Sequence, residues 1–154
     1  MSWISLTHKS EARAAHVRAV LDHPAPLTAA QVELIAVVVS ATNGCGYAVA
    51  HHGPKLAKAL GDEALARAVA LDYREANLPA RDRVLLDYAV ALTCEPAERT
   101  VADIERVREY GFDDAAILKA TEVAALFNQL NRIISGLGVE RESGVEAWEF
   151  GAQK

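Results

Sequence analysis

The residues able to do chemistry gather in one stretch, Glu33 to Gly53, reading ELIAVVVSATNGCGYAVAHHG. It holds one of the chain's two cysteines, two of its five histidines and a single carboxylate. On a helix, residues three, four and seven positions apart share a face, so Cys45, Ala48 and His52 should line one side while His51 points elsewhere. Cys45 follows an Asn-Gly turn and is expected in a first helical turn, where unpaired amides and the helix dipole favour a thiolate over a thiol. A thiolate is the nucleophilic form, and His52, one face-length away, could supply or take up the proton the chemistry needs. Glu33 is the lone charge between Thr28 and Thr42, with small or apolar neighbours at Ala36, Val37 and Ser40. A carboxylate so placed should be partly buried. Burial without a cation raises a carboxylate's pKa and suits it to act as a general base or as a proton relay to His52.

The same residues have plainer readings. A lone cysteine in an apolar helix is more often an inert small hydrophobe, and His52 could be a hydrogen-bonded core or surface residue. Adjacent histidines project about 100° apart on a helix and chelate poorly, even with Glu33 and Cys45 as further ligands. No metal and no cofactor are therefore expected. His8, His16 and His23 have no evident partners and read as surface residues.

The elements that must carry this stretch are helical. Strand signals are nearly absent, with no sustained period-2 alternation and no hairpin turn between alternating apolar runs. Ser10 to Leu21 is amphipathic and is broken by DHPAP. Thr28 with Gln31 reads as a capping box for a helix running to about Thr42, ended by Asn43 and Gly44. A second helix starts at about Cys45 and passes His52, where Pro54 marks a bend, a break or a new first turn. Asp62 to Leu71 forms a short helix, Pro79 opens another bearing Val84, Leu85, Tyr88 and Leu92, and Thr100 with Asp103 caps a further one ended by Gly111. The last and longest runs from about Asp113 to Ser135, with Ile117, Ala120, Ala124, Phe127, Leu130 and Ile134 on one stripe. This predicts an all-α bundle of about six to seven helices in one domain over residues 1–154, with a loose tail after about residue 139.

Bulk properties narrow the partners. The 154 residues suit one core, and 51% apolar with 24% charged residues is ordinary for a globular chain. A net charge of -5 without a basic cluster argues against nucleic acid. The apolar run Leu34 to Val39 is far below the roughly 20 residues that span a bilayer. The opening MSWISLTHKS lacks the basic start, apolar centre and cleavage site of a secretory signal, so a cytoplasmic address is expected. Cys45 and Cys94 are too few for a disulfide scaffold and should be free thiols.

The pattern resembles the AhpD (alkylhydroperoxidase D) and carboxymuconolactone decarboxylase group, in which a Glu is followed after eleven residues by Cys-x-x-Cys and, after three more, by His. Glu33, Cys45 and His52 match the Glu, the first Cys and the His, while Ala48 stands where the second Cys would be. SATNGCGY, LLDYAVALT at 85–93 and FNQLNRIISGLGV at 127–139 are similar to the peroxidase-related branch, so the likeness spans roughly residues 20 to 140. The resemblance implies an all-helical subunit assembling into dimers, trimers or hexamers. In redox-active members it implies a dithiol that reduces a hydroperoxide and is itself reduced by a thiol or dithiol carrier.

In the family the second Cys is taken as the peroxide-reacting thiol, so this chain keeps the other partner. That leaves several routes: Ala48 as a substitution that inactivates a peroxidase, Cys45 cycling through a sulfenic acid with an external thiol, or loss of redox activity. Cys94 could resolve Cys45 in principle, but it sits near the end of a different helix, where the family usually carries another residue type. Thiol-dependent peroxide reduction by Cys45, His52 and Glu33 is the leading expectation. Proton transfer on a small lactone or acid, as in the decarboxylase branch, needs only Glu33 or His52. A helical oligomer that binds a small apolar molecule needs none of the three.

Overall fold

Fourteen residues from Ala29 to Thr42 form a helix, α2, that is buried on nearly every side, from Gln31 and Val32 through Leu34 to Thr42. A helix apolar all round has to lie at the centre of a protein, and the other helices wrap α2. The computed structural model describes residues 10–153, which leaves His8 outside the described part. The described residues contain seven α-helices, one 3-10 turn and no strand. Around α2 run α1 (Glu11–Leu21), α3 (Gly46–Leu60), α4 (Glu63–Asp72), α5 (Ala80–Cys94), the 3-10 turn Pro96–Glu98, α6 (Val101–Glu109) and α7 (Asp114–Gly136). Helices α3, α4, α5 and α7 all contact α2, α1 lies on α7, and α6 closes against α5 and α7. Their inner faces merge into one continuous apolar core.

Local chemistry sets the helix ends. Thr28 Oγ1 accepts from Gln31 N at 3.1 Å and Gln31 Oε1 accepts from Thr28 N at 3.0 Å, the reciprocal capping box that the sequence predicts. Ser10, Asp62 and Asp113 cap α1, α4 and α7 through their side-chain oxygens. Helix α3 continues unbroken through Pro54, so the proline neither breaks the helix nor opens a new one. Proline deletes only one amide donor, and burial of Val49, Ala50, Gly53 and Leu56 on the inner face holds the helix together across the gap.

The segment after α7 corrects the expectation of a loose tail. It has no regular structure and residues 140–144 are exposed, yet its far end is anchored. Trp148 is 6% exposed and packs its indole onto Gly53, where any Cβ would overlap the ring. Gln153, 1% exposed, reaches Tyr73 N at 3.0 Å, Val69 O at 3.0 Å and Ala70 O at 2.7 Å, satisfying backbone groups at the end of α4. Midway, Glu142 accepts from the Tyr47 hydroxyl at 2.8 Å and lies 2.9 Å from His51 Nε2, which ties the segment to the start of α3. Tyr47 also stacks on His51, with ring centroids 4.2 Å apart. Loss of conformational freedom in a tail is offset only by such contacts, and an apolar pattern without helical period does not announce them.

Two expected outcomes follow from these contacts. Gly53→Ala gains helix propensity but must expel Trp148, so it should lower stability by about 1–2 kcal/mol in urea titrations, and the loss should vanish in a Trp148→Ala background. The Tyr47 hydroxyl, first among its neighbours, holds the Glu142 carboxyl below the usual carboxylate range, while burial and then Glu142 push the Tyr47 phenol up to about 12. Because the folded-state pKa of Glu142 is depressed, the clamp contributes above the ordinary carboxylate pKa and is lost as pH falls through the lower folded value. Tyr47 ring signals followed by NMR should shift in that acid range, and Glu142→Gln should abolish the shift.

Candidate active site

The link between α2 and α3 is built to return the chain sharply. Asn43 ends α2, Gly44 takes a φ of 69° that a side chain would strain, and the Cys45 amide then donates to Ser40 O at 2.9 Å. Cys45 consequently sits at the N-cap of α3, one residue ahead of the first turn, with its side chain making no capping hydrogen bond. It is 2% exposed, so the thiol sits beneath the surface at the positive end of the α3 dipole.

Seven residues along the same helix, His52 crosses to α2. Its Nδ1 lies 2.7 Å from Glu33 Oε2, and the two side chains are 13% and 18% exposed. An ionised carboxylate only accepts hydrogen bonds, so the contact calls for a proton on Nδ1, which in a neutral imidazole leaves Nε2 as the acceptor. The edge of Phe127 from α7, with centroids 4.7 Å apart and planes at 87°, fixes the ring's remaining rotation. Glu33 therefore has an imidazole partner and is not the isolated carboxylate that its apolar neighbours suggest.

Ala48, 4% exposed, lies between Cys45 and His52 on α3. His51 points away, as expected from its position, with Nδ1 2.7 Å from Tyr47 O and Nε2 on Glu142. His16 and His23 are exposed. Cys94, the last residue of α5, is also exposed, and both cysteines are free. Among the described residues, no three His, Cys, Asp or Glu side chains gather closely enough to hold a metal ion.

The structure thus joins Glu33 to His52 and sets Cys45 two turns back on the same helix, while Cys94 belongs elsewhere. Sequence reasoning missed how Phe127 orients His52, because an apolar residue on a stripe reads as core whatever it touches. It also missed the polar seam between α2, α5 and α7. There Ser40 Oγ donates to Asn131 Oδ1 at 3.3 Å, and Asn43 Nδ2 donates to Asn128 Oδ1 at 3.0 Å. Asn128 Nδ2 in turn donates to Thr93 Oγ1 at 3.0 Å, and Asn131 Nδ2, fully buried, has no protein partner. Asn128 and Asn131, set among the apolar Leu126, Phe127 and Leu130 of α7, were the available signal. A cleft of about 680 Å3 opens beside this seam, between the ends of α2 and α5, and neither Glu33, Cys45 nor His52 stands in its wall.

Comparison with known proteins places this arrangement in a family. The sequence pattern of the carboxymuconolactone decarboxylase family matches residues 10–71, which include Glu33, Cys45 and His52. No curated protein sequence matches the chain. A peroxidase-related protein of uncharacterised function from Silicibacter sp. TM1040 superposes with a TM-score of 0.83 at 34% identity, over 87% of this chain and 70% of that one. A second uncharacterised peroxidase-related protein, an alkylhydroperoxidase AhpD core from Ralstonia eutropha JMP134, gives 0.82 at 32% identity, over 86% of this chain and 70% of that one. The debrominase Bmp8 shares the fold alone, with a TM-score of 0.73 at 17% identity over 86% of this chain and 70% of that one. With a third of its residues identical to those of a peroxidase-related structure over most of both chains, and with the family pattern covering its Glu, Cys and His, the protein belongs to the AhpD-like carboxymuconolactone decarboxylase family.

Proposed function

We propose that the protein is a peroxidase-related, thiol-dependent oxidoreductase that reduces a small organic hydroperoxide with Cys45 as the reacting thiol. The observation carrying this reading is the 2.7 Å bond that holds His52 against Glu33, two turns from a sheltered cysteine on one helix. Glu33 orients the ring and stabilises an imidazolium. His52 Nε2 takes the thiol proton and later returns it to the departing alkoxide. The Cys45 sulfur attacks the terminal peroxide oxygen, the O–O bond breaks, and the products are a sulfenic acid and an alcohol. Two external thiols, or one dithiol, then reduce the sulfenic acid, releasing water and a disulfide and restoring the thiol. No metal or cofactor enters these steps. The two relatives bearing the peroxidase-related name favour this class, and the reading includes a cytoplasmic homo-oligomer.

Ala48 shapes the proposal. Cysteines at i and i+3 can pair within the motif, and alanine removes that resolving step, so turnover depends on the external thiol. Reduced protein given an alkyl hydroperoxide and a dithiol should consume peroxide, and Cys45→Ser should fall to the uncatalysed rate. Equal consumption by the two proteins overturns the reading. His52→Gln should lower kcat/KM by about 10²–10⁴-fold, and Ala48→Cys should raise turnover at low external thiol.

A second reading draws on one observation: the Glu33–His52 pair is complete without any thiol. Acid–base chemistry on a small lactone or acid would use it directly. Activity on such a substrate that survives full alkylation of Cys45 and is lost in Glu33→Gln would establish that class instead.

A further inference from the structure

Cys45 is the reacting group of the proposed function, yet it is 2% exposed, so a dissolved molecule reaches its sulfur only if something above it moves. The helices beside it are held firmly. α2 is buried on nearly every side, and α3 is joined to it by the Glu33–His52 contact at 2.7 Å and by the Cys45 amide on Ser40 O at 2.9 Å. The segment that follows α7 is different in kind. Residues 140–144 are exposed and lack regular structure, and stretches with few buried contacts open locally at the least cost.

That segment lies on the head of α3, on the two residues that directly follow Cys45. Phe150 packs onto Gly46, where an added Cβ would stand 3.1 Å from its ring. Glu142 accepts from the Tyr47 hydroxyl at 2.8 Å and meets His51 Nε2 at 2.9 Å. Burial first, then Glu142 and last Cys45 raise the Tyr47 phenol, so the hydroxyl held by Glu142 and the sulfur share one electrostatic neighbourhood. Beside this contact is a groove of about 500 Å3, lined by Val139, Arg141 and Val145 from the segment and by Gly46 and Tyr47 from α3. The turn carrying Glu142 is closed on itself: Val145 N donates to Glu142 O at 3.2 Å, Arg141 Nη1 donates to Val145 O at 2.8 Å, and Gly144 supplies a φ of 93°. It can swing as a unit and keep its own hydrogen bonds. Trp148 on Gly53 and Gln153 on the end of α4 form the fixed point beyond it.

We infer that residues 140–147 form a latched gate at Cys45, that Glu142 is its latch, and that the gate selects by size which molecules reach the sulfur. The groove is the way in. A small hydroperoxide or thiol enters on a slight movement of the turn, whereas a bulky one requires Glu142 to release both Tyr47 and His51. Glu142 is thus a specificity-determining residue that never touches the reacting atoms. The inference rests on the proposed function for its consequence, but the gate itself is read on the sulfur without any peroxide.

A Cys94→Ser background leaves Cys45 as the chain's single thiol. Its alkylation by N-methylmaleimide and by the bulky, uncharged N-pyrenylmaleimide is followed by mass spectrometry, each rate divided by that of the same chain unfolded in urea. The two reagents share one chemistry, so their ratio cancels any change in the thiol's own reactivity. In the parent protein the bulky reagent should be held back far more than the small one. Glu142→Ala should speed the bulky reagent by about tenfold or more and the small one by clearly less. Tyr47→Phe, which keeps the ring stacked on His51, should act in the same direction. Amide exchange at Val38 and Val39, in the centre of α2, should stay unchanged and so separates gate opening from unfolding. An unchanged reagent ratio in both variants overturns the gate, as does faster labelling matched in both by faster exchange at Val38 and Val39. Should the labelling pattern hold while Cys45 consumes no peroxide, the proposed function fails and the gate stands.

Discussion

A carboxylate on a helix that is buried almost all the way round must find a partner, and much of this molecule is arranged around the one it finds. Glu33 is the only charge on α2, and a buried charge without hydrogen bonds is strongly destabilising. The His52 imidazole at 2.7 Å meets that need. The contact also fixes the rotation and the register of α3 against α2, because His52 can reach Glu33 only if Ala48 and Val49 face inward. Those residues are 4% and 0% exposed. The tight return through Gly44 then follows, with Cys45 drawn back onto Ser40 at the head of α3. One interaction thereby aligns an imidazole and a thiol on a single helix. Sites held on regular elements keep their geometry better than sites on loops.

How much of this was legible in the sequence depended on the kind of signal. Helix ends were readable wherever a side chain caps its own backbone. Thr28 with Gln31, Thr100 with Asp103, and Ser10, Asp62 and Asp113 all act within four residues, so the information is local. The Glu33–His52 contact could be proposed but not measured, since a spacing fixes faces and not the distance between helices. Phe127 on His52, the asparagine seam and the Gln153 bonds to the end of α4 were not readable. Each joins residues 35 or more positions apart, and each uses a residue type with a commoner local explanation. Lys119 makes the same point: 7% exposed on α7, it donates to Val20 O at 2.6 Å and satisfies a carbonyl near the end of α1.

The segment after α7 illustrates a different limit. Its composition, with Gly138 and Gly144 among charged residues, reads as solvated chain, and residues 140–144 are. What closes it is shape: a glycine in the middle of α3 leaves room for the Trp148 ring, and the small Gly151 lets backbone approach Leu71. Pairing of a missing side chain with a distant large one carries no periodicity. The cost of Gly53 within a helix, about 1 kcal/mol relative to alanine, is offset by the apolar area of an indole removed from water.

The site also bears on why a common fold can carry different reactions. A debrominase shares the chain's architecture at 17% identity, so the helices alone do not select a chemistry, and the selection has to rest on a few side chains. Here the Glu–His pair and the thiol are separable parts. The pair is complete by its own hydrogen bond, and the thiol is placed by the backbone turn at the head of α3, where its side chain makes no capping hydrogen bond. A change at position 48 can therefore remove a second sulfur without disturbing the orientation of His52. An alanine at 4% exposure fits between them with no polar group left unpaired. The orientation of His52 is thus independent of the sulfur at the head of α3, and the residue at position 48 bears on what lies between the two side chains and not on how either is held.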